Sequence, residues 1–306
     1  MNDSRLNVDV TASLSMFMIC FIWGVQQAAI KSIADQIAPV LQIGGRSFLA
    51  ALMVWVIMTL KKDSLKQSKD YLISGVVVGA LFALEFLFVA EGLRYTTASH
   101  MTVFLYTAPI FAAIGLQLFN KHEILAKMQW FGIGIAFCGI AVAFFSRDEA
   151  STNLQDMLIG DVMALIAGLL WGATTVVVRC TRLGVASTEH TLFFQLGGAG
   201  VLLLSYAAIT DQIHFSLNFN TSMNLLFQVL FVSFASYLAW FSLIRKYKAS
   251  QLGVLSFMTP VIGVIASILL LDEQAHSGFI WGSLLILVGV LLVSVWPWLN
   301  LKIRNR

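Results

Sequence analysis

The chain has 306 residues, 58% of them hydrophobic and only 11% charged, with a mean hydropathy of +0.84; a soluble protein carries about 25% charged residues. That much apolar surface excludes a soluble fold and makes the bilayer the solvent. The net charge of +3 does not point to nucleic acid, because the basic residues gather in loops on one membrane face, and no nucleic-acid partner is expected.

The first apolar run, from Ser13 to Ala29, follows a polar stretch and has the outline of a leader peptide. Its Trp23-Gly24 returns later as Trp171-Gly172, which a cleaved leader has no reason to do, so the run reads as a first transmembrane helix. A bilayer core needs about 20 apolar residues per helix. That measure predicts ten spans, over 13–31, 40–60, 71–92, 98–119, 128–145, 158–179, 190–210, 223–243, 250–271 and 278–298. Pro39, at the start of the second span, suits a first helical turn, where its missing N–H costs nothing. Cys20, Cys138 and Cys180 lie in or at the ends of apolar runs. Their spacing fits neither a disulfide framework nor a metal site, and they read as packing residues.

Fifteen of the nineteen Lys and Arg, among them Lys61, Lys62, Lys66 and Lys69, fall in segments on the side of the N-terminus. Lys31, Arg94 and Arg147 fall on the other side, and Arg46 lies inside a span. Positive residues stay inside, so both termini are expected in the cytoplasm.

The chain is one unit written twice. Ala98-Ser99 and Pro109 recur 151 residues on as Ala249-Ser250 and Pro260, and Glu123 recurs 150 residues on as Glu273. Trp23-Gly24 recurs 148 residues on. Residues 13–145 and 158–298 therefore form two five-span repeats. An odd number of spans per copy places the second upside down relative to the first. Inverted repeats are a transporter architecture with the site near the midplane between the halves.

Several residues stand out within the spans. Pro109 and Pro260 fall mid-span and remove a backbone hydrogen bond from each helix; they mark either a cavity edge or a packing kink. Trp23 and Trp171 lie deep in the first and sixth spans, and line a cavity or pack on a neighbouring helix. Gln26 and Gln27, and likewise Thr174 and Thr175, follow these tryptophans by three and four residues and so share a helix face with them. They serve either substrate or helix–helix hydrogen bonds. Glu85, deep in the third span, is costly in hydrocarbon and must face the bundle interior. Arg46, in the second span, is close enough in depth to be its ion-pair partner; substrate contact or a coupling proton are the functional alternatives. Tyr106 and His100, with Ser236, Tyr237 and Trp240 in the eighth span, complete a polar and aromatic set. Ser236 is the counterpart of Glu85, 151 residues on. Gly75/Gly79, Gly168/Gly172 and Gly278/Gly282 are pairs that let helices approach closely; the last would also suit a weak homodimer.

On these residues the chain resembles the EamA-type branch of the drug/metabolite transporter superfamily. Trp23-Gly24-Val25-Gln26 is similar to that family's Trp-Gly-x-Asn motif, with Gln in place of Asn. Arg46-Ser47-Phe48-Leu49-Ala50-Ala51 resembles its second-helix pattern, and the doubled Ala-Ser…Pro…Glu…Gly…Gly text resembles its hairpin. The resemblance implies ten helices, cytoplasmic termini, a central cavity, and movement of small metabolites such as amino acids, their derivatives or drugs, often outward. The glutamates at the hairpin turns read as helix-start residues.

An intramembrane enzyme would need other residues. His122-Glu123-Ile124-Leu125-Ala126 lacks the second His of a metalloprotease helix, and paired membrane aspartates are missing. The expectation is a transporter that uses no cofactor and carries no nucleotide-binding loop, located in a bacterial inner membrane. Its partners would be lipid, a small-molecule substrate and protons.

Overall fold

The computed structural model describes residue 6 and residues 8–61, 71–119, 125–145, 154–184, 186–247, 252 and 255–304. Apart from two isolated bridges, the regular structure among them is helical. The helices are α1 (Val10–Ser32), α2 (Pro39–Leu60), α3 (Leu72–Gly92), α4 (Ala98–Leu105), α5 (Ala108–Phe119), α6 (Lys127–Phe145), α7 (Leu154–Cys180) and α8 (Thr188–Ile209). They continue with α9 (Phe219–Phe227), a π-helical segment over Gln228–Ala235, α10 (Ser236–Lys246), α11 (Met258–Leu271) and α12 (Ser277–Arg304). Eight stretches are long and apolar enough to cross a membrane, counting α4 with α5 and α9 with α10 as one each. The shorter apolar helices Lys127–Ala143 and Met258–Leu271 bring the spans to the ten expected from the sequence.

The helix starts follow local chemistry. The Asp9 carboxylate accepts the Ala12 N–H at 2.7 Å and caps α1, which places the start three residues earlier than the apolar run suggests. Pro39 opens α2 without a side-chain cap, as its missing N–H permits. In the ninth span, expected from residue 250, Leu252, Leu255 and Ser256 are helical, Phe257 is a turn, and α11 follows from Met258. Glu123 and the Ala249-Ser250 pair lie outside the described residues.

Among the described residues, the most extensive helix–helix interfaces join one repeat to the other: α6 with α12, α2 with α8, α3 with α7 and α8, α1 with α11, and α5 with α7. The α1–α11 and α5–α7 pairs are images of each other under the repeat. A Cβ at Gly24 would lie 2.8 Å from the Ile262 side chain and 3.0 Å from the Gly263 nitrogen. A Cβ at Gly172 would lie 2.7 Å from Phe111 Cβ and 2.9 Å from the Ala112 nitrogen. Gly172 is the repeat counterpart of Gly24, and Phe111 and Ala112 are those of Ile262 and Gly263. The glycines are required because helix backbones meet there. Gly282 and Gly289 likewise press on Ala143 and Ala136 of α6, so this face of α12 is engaged within the chain.

Candidate functional site

Both proline-bearing spans break just before the proline. In the fourth span the helix stops at Leu105, passes through a turn at Tyr106-Thr107 and restarts as α5, with Pro109 in its first turn. In the ninth span the turn falls at Phe257, the counterpart of Tyr106, and Pro260 is the third residue of α11. Proline denies a hydrogen bond to the carbonyl four residues earlier, and such carbonyls survive in a membrane only where protein or water receives them. At the first break a Cβ on Gly168 would lie 3.1 Å from the carbonyl oxygens of Phe104 and Leu105, so α7 lies directly against them. At the second, Cys20 donates its thiol at 3.4 Å to the carbonyl of Leu255, the residue before the one whose carbonyl Pro260 leaves free. Cys20 is the counterpart of Gly168, 148 residues earlier. The two breaks are thus covered from equivalent places, once by backbone and once by a thiol.

Around the breaks the structure gathers most of the residues picked from sequence. Trp23 donates from Nε1 to Ser236 Oγ at 2.7 Å, and Ser236 in turn donates to the Val232 carbonyl at 2.5 Å. The Trp23 ring lies 5.8 Å from Tyr237 and 5.6 Å from Trp240. Tyr237 stands edge-on to Phe82 at 6.2 Å, and Phe82 meets Phe86 at 4.8 Å. Tyr106, at the first break, stands at 89° to the Trp171 ring, 5.2 Å away. Glu85 lies on α3 between Phe82 and Phe86, the rings that adjoin this group.

Glu85 is 4% exposed, and its Oε2 has no hydrogen-bond partner. The ion pair with Arg46 that the sequence leaves open does not form. Arg46, 2% exposed, instead donates from Nη1 to Gln228 Oε1 at 3.3 Å and places its guanidinium 5.2 Å from the Phe86 ring centre. The reason is a competing amide relay. Gln228, the first residue of the π-helical segment, donates to Gln42 Oε1 and to Asn224 Oδ1, both at 2.8 Å. Gln42 then caps the carbonyls of Ile30 and Ile37, and Asn224 caps that of Ala29. The relay holds Arg46 on Gln228 and leaves its Nε without a partner.

The polar residues beside the tryptophans divide. Thr174 and Thr175 turn their hydroxyls back to the carbonyls of Leu170 and Trp171, at 2.9 and 3.1 Å. They form no helix–helix bond, because the i−4 carbonyl is the nearest acceptor. Gln26 and Gln27 are buried at 6% and 2%, and Gln27 Oε1 has no partner.

Two further clusters were not assembled from the sequence. At the end of the bundle where α1 finishes, Lys31 donates to the Thr96 carbonyl, Thr96 Oγ1 meets Asp161 Oδ1, and His100 Nδ1 meets Asp161 Oδ2 at 2.9 Å. His100 stacks on Phe279 at 4.0 Å. Glu273 accepts from Ala98 N, Ser99 N and Ser99 Oγ at 2.7, 3.0 and 2.7 Å. At the opposite end Asp9 accepts the Tyr247 hydroxyl at 2.9 Å, and Leu6 N donates to the Lys246 carbonyl at 3.0 Å. The Ala12 N–H and the Tyr247 hydroxyl hold the Asp9 carboxyl below its ordinary range. Gln228 carried a signal in being an amide inside an apolar span; the Lys31 and Asp161 contacts depend on helix register, which one sequence does not give.

The uncharacterized transporter YoaV of Bacillus subtilis (strain 168) is 24% identical over 286 residues, spanning 92% of this chain and 96% of its own length. A probable amino-acid metabolite efflux pump of Escherichia coli (strain K12) is 23% identical over 286 residues, spanning 89% and 91%. A solved crystal structure at 16% identity superposes with a TM-score of 0.66 over 94% of this chain and 98% of its own, so the fold is shared. The EamA-like transporter family profile matches residues 10–145 and again residues 158–295. Matched twice in order along nearly its whole length, this multi-pass membrane chain belongs to the EamA-like transporter family.

Proposed function

We propose that the protein is a secondary transporter of small metabolites that exports its substrate by alternating access. Residues 13–145 and 158–298 act as the two inverted halves, and the cavity between them is lined by Trp23, Gln26, Gln27, Glu85, Tyr106, Trp171, Ser236, Tyr237 and Trp240. Pro109 and Pro260 supply the flexible points at which each half opens. Thr174 and Thr175 flank the cavity through the face they share with Trp171. The protein works as a carrier, not an enzyme, in a bacterial inner membrane with both termini in the cytoplasm. Protons serve as the exchanging ion at Glu85.

The observation that carries this reading is the buried Glu85 carboxylate, whose Oε2 has no hydrogen-bond partner, on α3 between Phe82 and Phe86. A lone ionisable group at membrane depth is costly and marks a pathway. The metabolite-efflux name of the Escherichia coli relative supports the substrate class and direction. The test is flux in proteoliposomes of the purified protein, with substrates drawn from a metabolite comparison of cells with and without it. Saturable flux with trans-acceleration is expected, and Glu85→Gln is expected to lower it and flatten its pH dependence. Unitary conductance steps would replace the carrier with a channel, and a Glu85→Gln variant of unchanged rate and pH profile would remove Glu85 from the mechanism.

A further inference from the structure

The two ends of the bundle are closed unequally, although the repeat supplies both with the same parts. Thr96, just ahead of the fourth span, has Tyr247, just ahead of the ninth, as its counterpart 151 residues on. Each is met by an aspartate at the start of the other repeat. Thr96 Oγ1 and His100 Nδ1 meet the carboxylate of Asp161 on α7, and the Tyr247 hydroxyl donates to Asp9 at the start of α1. Asp161 matches Ser13 at the shift of 148, one helical turn beyond Asp9 and on the same face. Asp161 is wholly buried, whereas Asp9 is exposed. Beside Asp161 the backbones touch: a Cβ at Gly160 would lie 2.7 Å from the Thr96 nitrogen and 2.9 Å from the Gly92 carbonyl oxygen. The counterparts of Gly160 and Gly92 are Ala12 and Leu243, whose side chains forbid that approach. The third and eighth spans carry the same asymmetry. Val89, Ala90, Gly92 and Leu93 of α3 are buried, and α3 packs broadly on α7. Their counterparts on α10 are Trp240, Phe241, Leu243 and Ile244. These are only half-buried, and the eighth span meets α1 far less extensively. Equal register makes this the same helix face, closed on α3 and left open on α10.

We infer that the two aspartate clusters are a pair of unequal gates. The Asp161 latch holds shut the mouth where α1 finishes, and the mouth where α1 begins rests open beside α10. This deepens the carrier reading and rests on it. A latch made by a buried carboxylate with two partners is costly to break, because its groups are left without bonds. An exposed carboxylate exchanges its bond for water at little cost. The unloaded protein therefore populates the form open at the Asp9 end. The π-helical segment over Gln228–Ala235, directly ahead of α10, is the joint on which α10 swings. With both termini in the cytoplasm, the resting mouth faces the cytoplasm and substrate loads from inside. Outward release follows when bound substrate favours the form in which Asp161 lets go.

The experiment places one cysteine at each mouth, at counterpart positions, as Leu93→Cys and Ile244→Cys. Both are made in the full chain with the exposed Cys138 and Cys180 replaced by Ser. The purified, detergent-solubilised proteins are labelled with a water-soluble maleimide in the absence of substrate. Ile244→Cys is expected to react at least about ten-fold faster than Leu93→Cys, the bias that hydrogen bonds to a charged group impose on a two-state equilibrium. Adding Asp161→Asn is expected to raise the rate at Leu93→Cys and to lower it at Ile244→Cys, since the two mouths trade. Thr96→Val, which spares the aspartate, is expected to act in the same direction and decides if Asp161→Asn does not fold. Asp9→Asn is expected to leave Leu93→Cys protected. Equal rates at the two positions with the latches intact overturn the inference. So does a rise at Leu93→Cys with no fall at Ile244→Cys, which would make Asp161 a structural tie alone. The carrier reading survives either result, and falls only if saturable flux is absent for every compound class.

Discussion

Ser99 and Glu273 are 174 residues apart in the chain and joined by two hydrogen bonds, from Ser99 N at 3.0 Å and from Ser99 Oγ at 2.7 Å. With the Ala98 N–H at 2.7 Å, the carboxylate receives three donors at the start of α4, where backbone N–H groups have no partner within the helix. The Ala-Ser pair of the first repeat and the glutamate of the second are therefore two halves of one cap.

Removing that cap exposes its value. Glu273→Ala is expected to destabilise the protein by about 1.5–3 kcal/mol, the range for hydrogen bonds to a charged acceptor, and Ser99→Ala by about 1 kcal/mol. Thermal unfolding in detergent, with α4 followed by hydrogen exchange, would check it; equal and negligible losses would contradict the cap.

Close helix contact makes a second prediction. Gly172→Ala puts a Cβ 2.7–3.0 Å from Phe111 Cβ, the Ala112 nitrogen and the Ala108 carbonyl, where backbone cannot give way. Overpacking of this kind costs about 1–3 kcal/mol. Gly134→Ala on α6 meets nothing within 4 Å and is expected to be neutral or to gain up to about 1 kcal/mol from helix propensity. Unfolding midpoints of the two variants, compared side by side, carry the result.

The Trp23–Ser236 bond is a third. Trp23→Phe keeps a ring but loses the donor, and Ser236→Ala loses the acceptor. A double-mutant cycle is expected to return a coupling of about 0.5–1.5 kcal/mol, with both single variants lowering flux because the indole is no longer held beside Tyr237. Strict additivity would show that the 2.7 Å contact does not fix the ring.

The fourth concerns acid. The Asp9 carboxyl is held below its ordinary range first by the Ala12 N–H and then by the Tyr247 hydroxyl. A depressed folded pKa means that its contribution is present above the ordinary aspartate value of about 3.9 and is lost as pH falls through the lower, folded value. Acid should therefore loosen the contact between the start of α1 and Tyr247, while Asp9→Asn removes the pH dependence and Tyr247→Phe reduces it. Hydrogen exchange of the first turn of α1 between pH 3 and 6 would record this.

Much of the fold is legible in the sequence because hydropathy and repetition are one-dimensional signals. The ten apolar runs, the doubling and the two prolines need no partner to be recognised. Glu85, Tyr106, Trp171 and Tyr237 were picked on depth and residue type, and the structure brings them together. The partner of Arg46 was not legible. Arg46 meets Gln228 across helices 182 residues apart in the chain, and which polar group it meets depends on how α2 is set against the helix that carries Gln228. Likewise, nothing local tells Glu273 to reach the other repeat's helix instead of its own. Helix register against a distant neighbour decides such contacts, and a single sequence carries it only through glycines such as Gly24 and Gly172, where close approach leaves a mark.

The crossing of interfaces between the repeats has a consequence for how the molecule is made. Synthesis delivers α1 to α6 first, yet the surfaces these helices bury most deeply belong to α7, α8, α11 and α12. The early half must wait in the lipid with its interior faces uncovered until the later half arrives and threads among them. Assembly is thus a late, concerted event, and a ribosome that stops midway leaves behind helices with nothing to close upon.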